Sequence, residues 1–176
     1  MQDLPILATP RLSLRPWSEG DLDALHSIFG NPGVRRYLCD DVILPRERIA
    51  AFIERSQRTA AANGIGSWGI YLQESDTMIG FCGFFFTEGT GELELLYGLL
   101  PDYWGQGIAT EAARAALDYL WRATGFKRVF ARADPPNRKS FEVMRRLGMR
   151  LHDTTPPLTS FILHKPAGLS SGQTSK

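Results

Sequence analysis

The run Tyr103-Trp104-Gly105-Gln106-Gly107-Ile108-Ala109-Thr110-Glu111-Ala112 decides the fold of this chain. It follows an apolar, strand-like stretch, Glu92 to Leu100, and opens a long amphipathic segment. There Ile108, Ala112, Ala116 and Leu120, flanked by Ala109, Leu117 and Trp121, make one apolar stripe at helical spacing. Glu111, Arg114, Asp118 and Arg122 fall opposite, at spacings that favour ion pairs. Glycines at a strand-to-helix turn free backbone N–H groups to face a ligand, and the helix N-terminus behind them adds partial positive charge. Together these favour a phosphate or pyrophosphate.

Upstream, Ile6 to Trp17 alternates around Leu12 and Leu14 as a strand, and Ser18 is placed to cap a helix carrying Leu22, Leu25, Ile28 and Phe29. That helix stops at the breaker cluster Gly30-Asn31-Pro32-Gly33. A second helix is expected from Pro45 to Asn63, ended by Gly64. Ser67 to Gln73 and Thr77 to Phe86 read as a hairpin around Glu74-Ser75-Asp76. Downstream, Gly125 is a natural end for the long helix. Lys127 to Ala133 is then a strand, and Asn137 caps a short helix through Leu147. Met149 to Asp153 and Ser160 to His164 are the last strands. The order β-α-α-β-β-β-α-β-α-β-β predicts a mixed α/β (α+β) single domain over residues 1–165, and 166–176 is expected to be a disordered tail.

A chain of 176 residues can bury a core without metal or disulfide staples. Net charge is +1, so no global field directs the chain to nucleic acid or to a membrane, and no apolar run approaches the length of a membrane span. Cys39 and Cys82 are read as reduced thiols. With only three scattered histidines, no metal site is expected. The absence of a signal-peptide pattern makes the cytoplasm the expected compartment.

Three readings compete for the glycine turn. A dinucleotide fingerprint asks for Gly or Ala where Thr110 stands, and for an acidic ribose ligand on the next strand. A Walker loop asks for Gly-Lys-Ser/Thr, which does not occur. The third reading is a tight turn and nothing more. The surrounding sequence resembles the GNAT superfamily of acyl-CoA-dependent N-acetyltransferases over residues 8 to 164, most closely its RimJ/RimL-like, ribosomal-protein-alanine acetyltransferase group. The resemblance is carried by Thr9-Pro10-Arg11-Leu12-Ser13-Leu14-Arg15-Pro16, by Glu94-Leu95-Leu96-Tyr97-Gly98-Leu99 and by Trp104 through Ala112. Asn137-Arg138-Lys139-Ser140, followed by Arg146-Leu147-Gly148-Met149, completes it. Where the superfamily loop commonly begins with Gln or Arg, this chain has Trp104, as is frequent in the RimJ/RimL-like group.

The resemblance implies a GNAT-like domain, with a mixed, mostly antiparallel twisted sheet flanked by helices. It implies acetyl-CoA as co-substrate, with Gly105, Gln106, Gly107, Ile108 and Ala109 around the pyrophosphate and Trp104 and Thr110 beside them. The pantetheine arm would pair like an added strand with Leu96 to Leu99, where the fourth and fifth strands splay apart. A backbone N–H of Leu96 or Tyr97 would serve as oxyanion donor. Asn137 is expected to cap the late helix and touch pantetheine. Arg138, Lys139 and Arg145 are the candidates for the 3′-phosphate.

Alternation puts Glu92, Glu94 and Leu96 on one face of their strand, which makes Glu94 the candidate base, acting directly or through water. The competing reading pairs Glu94 with an arginine such as Arg11 or Arg15. Ser140 and Tyr97 compete as the acid that protonates the departing thiolate. His152 and Asp153 fall where the family's acceptor pocket lies, and the first helix with the segment Gly30 to Leu44, including Asp40 and Asp41, would line the acceptor entrance. Trp68, Phe84, Phe85 and Phe86 are read as core or sheet-face residues. The expected reaction moves an acetyl group to a primary amine, on a protein N-terminus or a small molecule, by direct attack in a ternary complex. The alternative is a catalytically silent acyl-CoA-binding module. Dimers are frequent among such proteins, so a homodimer is compatible with the resemblance.

Overall fold

The computed structural model describes residues 4–168. The run Ile6 to Trp17 is not one strand. Pro10 has no N–H to give a ladder, and the chain doubles back there as β1 (Leu7–Ala8) and β2 (Leu12–Pro16), with Leu7 opposite Leu14. Ser18 donates to the Asp21 carboxylate through both its N–H and its hydroxyl, closing a 3-10 turn over Glu19–Asp21 that leads into α1 (Leu22–Gly30). The breaker cluster that ends α1 also starts a helix. Asn31 accepts from the N–H of Gly33, Pro32 takes the first position, and α2 (Pro32–Arg35) follows. The sequence reading had no helix there. The second expected helix is α3 (Arg46–Asn63), ending at Gly64.

Next come β3 (Ser67–Leu72), β4 (Met78–Phe86) and β5 (Leu93–Leu99), then α4 (Ile108–Ala123) and β6 (Arg128–Ala133). α5 (Arg138–Arg146), β7 (Arg150–Asp153) and β8 (Thr159–His164) complete the chain. α4 is capped at Thr124 and not at Gly125, because the Thr124 hydroxyl and N–H both reach back to the Leu120 carbonyl. Of the tail expected over 166–176, residues 167 and 168 form a turn, and 169–176 lie outside the described residues.

One sheet of eight strands runs β1-β2-β3-β4-β5-β6-β8-β7. Every neighbouring pair is antiparallel except β5 and β6, which run parallel and share a single register pair, Glu94 with Phe130. Beyond Glu94 these two strands part. α4 and α5 cover one face, where Leu117, Leu120 and Trp121 join Leu93, Leu95, Trp68 and Phe84 in the larger core. α1 and α3 cover the other, where Phe29 stacks on Phe81 with ring centroids 4.6 Å apart. A buried Leu or Phe side chain contributes roughly 1.5–3 kcal/mol, so two helical layers gripping one sheet hold its parted centre open between firm walls.

Candidate active site

β5 leaves the sheet at Leu99, turns through Pro101–Tyr103 and reaches the glycine loop. Gly105 and Gly107 take φ of +74° and +76°, a left-handed conformation that side chains other than glycine resist. The turn spreads its peptides: among the described residues, no group of the protein accepts from the backbone N–H groups of residues 105 to 110. The last three belong to the first turn of α4, whose N–H groups have no partner within the helix. Six amides at the positive end of a 16-residue helix are thus left for a ligand.

A cleft of about 850 Å³ opens in front of them. Its walls are the loop with the start of α4, the end of β5 at Tyr97 to Leu99, the start of α5, and α2 with the chain after it, to Leu38. Thr110 lines it too, and its buried Oγ1 lacks a hydrogen-bond partner among the described residues. A buried hydroxyl left single costs roughly 1–3 kcal/mol, which a phosphate oxygen would offset. Lys139, Arg138 and Arg146 add positive charge at the rim. The residues present fit a pyrophosphate-containing ligand with a narrow arm leading toward β5.

Tyr97 and Ser140, expected as rivals, form one unit. Asn137 caps α5 by accepting from the Ser140 N–H at 3.2 Å, which places the first turn of α5 against β5. The Tyr97 hydroxyl then stands 2.9 Å from Ser140 Oγ and donates to the Ser140 carbonyl at 3.1 Å. Burial pushes the Tyr97 phenol well above its ordinary range, and the Ser140 bond offsets only part of this. At neutral pH the pair therefore holds its protons in the cleft.

Trp104 works through its side chain. Its indole N–H donates to the Leu99 carbonyl at 2.7 Å, and Lys139 Nζ lies 4.2 Å from the ring centroid. Gln106, Leu96 and Arg145 are not among the residues lining the cleft. Leu96 faces the α1 and α3 core, and the Arg145 guanidinium lies over Phe161, on a smaller groove between α5 and the last strands.

Glu94 sits on the face of β5 opposite Tyr97 and does not line the cleft. Its partner is an arginine, though neither Arg11 nor Arg15. Oε2 accepts from Arg132 Nη1 at 2.5 Å and from the Thr87 hydroxyl at 2.9 Å, while the other end of the Arg132 guanidinium bonds Glu92. Burial would lower the Arg132 pKa, but the two carboxylates outweigh it and raise it. Arg11 pairs with Glu111 and Arg15 with Asp76. The arrangement was hidden from local pattern, since Arg132 lies 38 residues from Glu94. Asp40 and Asp41, both at positive φ, are not among the residues lining the cleft, and Asp41 accepts from Arg35 Nε at 2.8 Å. His152 meets Phe130 edge-on at 5.3 Å, and Asp153 accepts from Thr155 in a turn. Cys39 and Cys82 are both free thiols. Among the described residues, no cluster of His, Cys, Asp and Glu side chains could hold a metal ion, and no helix is long and apolar enough to cross a membrane.

Comparison with known proteins places this geometry. A profile of the acetyltransferase (GNAT) domain matches residues 11–150. The uncharacterised N-acetyltransferase p20 of Bacillus licheniformis is 30% identical over 82% of this chain and 82% of its own. An acetyltransferase of Agrobacterium tumefaciens str. C58, solved by crystallography, superposes with a TM-score of 0.81 at 26% identity, covering 93% of this chain and 96% of that one. RimL, a ribosomal L7/L12 alpha-N-protein acetyltransferase solved with coenzyme A, superposes with a TM-score of 0.76 at 18% identity, over 91% of this chain and 98% of its own. That last likeness is one of fold. Since the profile takes in every element that walls the cleft, from β2 to the start of β7, the chain belongs to the GNAT acetyltransferase family and is an acyltransferase of that type.

Proposed function

We propose that the chain transfers an acetyl group from acetyl-CoA to a primary amine, on a protein N-terminus or a small molecule, by direct attack in a ternary complex. The observation that carries this reading is the row of six unpartnered amides, residues 105 to 110, opening on the same cleft as the Tyr97–Ser140 pair. Acetyl-CoA supplies an acyl carbon activated as a thioester and a thiolate able to leave. The loop amides and Thr110 hold the pyrophosphate, the rim cations hold the remaining phosphate, and the parted end of β5 aligns the arm. A β5 N–H polarises the carbonyl.

The reaction moves the acetyl group to nitrogen and one proton from nitrogen to sulfur. Ser140, backed by the Tyr97 hydroxyl, delivers the proton to sulfur as the C–S bond breaks. Glu94 receives the amine proton through water, and solvent returns a proton to the Ser140–Tyr97 pair, so that the net transfer is from nitrogen to sulfur. Glu94 Oε2 is engaged by Thr87 and Arg132, and its Oε1 makes no hydrogen bond among the described residues.

The test is a screen for free thiol released from acetyl-CoA, run across peptides with N-terminal Ala or Ser and across small amines. Release with at least one amine is expected, together with lower turnover and near-normal coenzyme A affinity in Ser140→Ala. Coenzyme A binding without thiol release from any amine would overturn the catalytic reading.

A further inference from the structure

The six free amides are informative only if something fixes the loop, and the loop's own bonds are few. Gln106 Nε2 donates to the Asp102 carbonyl at 2.9 Å. A further restraint comes from the far end of the chain. Arg11 Nη1 donates to the Gln106 carbonyl at 2.9 Å, while Arg11 Nε donates to Glu111 Oε2 at 2.6 Å. Glu111 is the fourth residue of α4. It also accepts from the Arg11 backbone N–H at 3.1 Å and from the Thr9 hydroxyl at 2.6 Å. The turn between β1 and β2 therefore grips both the loop and the first turn of the helix behind it.

A peptide unit is planar and trans, so its C=O and the next N–H point in opposite directions. Holding the Gln106 carbonyl toward Arg11 turns the Gly107 N–H away from Arg11. Gly107 lines the cleft and Gln106 does not, which is the arrangement this restraint would produce. The guanidinium also lies against the Gly107 backbone: a Cβ there would stand 3.6 Å from Arg11 Nη2.

From this geometry we infer that Arg11 and Glu111 are positioning residues for the cofactor, which neither touches, setting the direction of the amides that bind pyrophosphate. The inference rests on the coenzyme A reading above. The pair is exposed on the Arg11 side, with half of that side chain open to solvent. Such pairs add little to global stability, so the variants stay folded while the loop loses its register.

The experiment titrates coenzyme A, dephospho-coenzyme A and pantetheine into wild type, Arg11→Ala, Arg11→Lys, Glu111→Gln and the double variant Arg11→Ala/Glu111→Gln, by calorimetry, with unfolding midpoints measured alongside. Arg11→Ala is expected to weaken both pyrophosphate-bearing ligands about tenfold, the loss of one charge-assisted restraint. Pantetheine, which lacks the pyrophosphate, keeps its affinity, and the unfolding midpoint stays near wild type. Arg11→Lys recovers only part of the loss, because a single ammonium does not reach Glu111 and the Gln106 carbonyl in the same fork. The double variant is no weaker than Arg11→Ala, since the two residues act as one unit. Unchanged coenzyme A affinity in Arg11→Ala overturns the inference, as does an equal loss for all three ligands. Failure of the wild type itself to bind coenzyme A would instead remove the reading on which the inference rests.

Discussion

The two polar regions of this molecule lie on opposite faces of one strand and are built in opposite ways. On the Tyr97 side, the loop presents groups the protein leaves open, six amides and the Thr110 hydroxyl. On the Glu94 side, Arg132 spans Glu92 and Glu94, and Thr87 completes the cluster. Open groups await a ligand, whereas an engaged carboxylate keeps only its remaining oxygen. The difference teaches that the loop is built to bind directly, whereas a proton reaching Glu94 has to travel through water.

The contrast can be broken most severely from beneath. Leu120 is fully buried in the α4 stripe, and Leu120→Ala should cost about 3 kcal/mol of stability by denaturant unfolding. Both regions would suffer, because α4 carries the loop and packs on β5. Next in size is the chemistry of the open side: Tyr97→Phe and Ser140→Ala should each lower turnover about a hundredfold with little change in coenzyme A affinity. Equal losses in turnover and affinity would mean that the pair shapes the cleft and donates nothing.

On the closed side, Arg132→Ala leaves two carboxylates without their counter-charge. With these side chains 10–25% exposed, a loss of about 2 kcal/mol is expected, between the values for buried and surface pairs. Coenzyme A affinity should hold, and a large drop in it would erase the distinction between the two faces.

The smallest effect concerns acid. Burial pushes the Glu111 carboxyl up, but bonds from Thr9 and Arg11 and the Arg11 charge outweigh it and hold it below its ordinary value of 4.5. A carboxyl depressed in the folded state adds stability that is present above that value and fades as pH falls through the lower folded one. Stability measured below pH 4.5 should therefore fall more steeply in wild type than in Glu111→Gln. Asp153, also held low, contributes equally to both and cancels in the comparison.

What the sequence disclosed follows from the range of the forces involved. The α4 stripe and the glycine turn were legible because period and backbone freedom are local properties. Asn137 was legible as a cap for the same reason. Pro10 and Pro32 misled in opposite senses. The first divides what alternation presents as one strand, and the second begins a helix at a place that reads as a break. The partners of Arg11 and Glu94 were not legible, because pairing across 100 and 38 residues depends on strand order. Tyr97 and Ser140 were visible singly, but their union required knowing that α5 lands on β5.

The parting of β5 from β6 beyond Glu94 gives the sheet an edge in its interior, besides those at β1 and β7. Edges invite foreign strands, and proteins usually blunt them with charge or proline. Here the protection is enclosure: α2, α5 and the glycine loop leave a slot. The walls that shape this cleft for a ligand also stand between the parted edge and a foreign strand, which shields the centre of the sheet from templating aggregation.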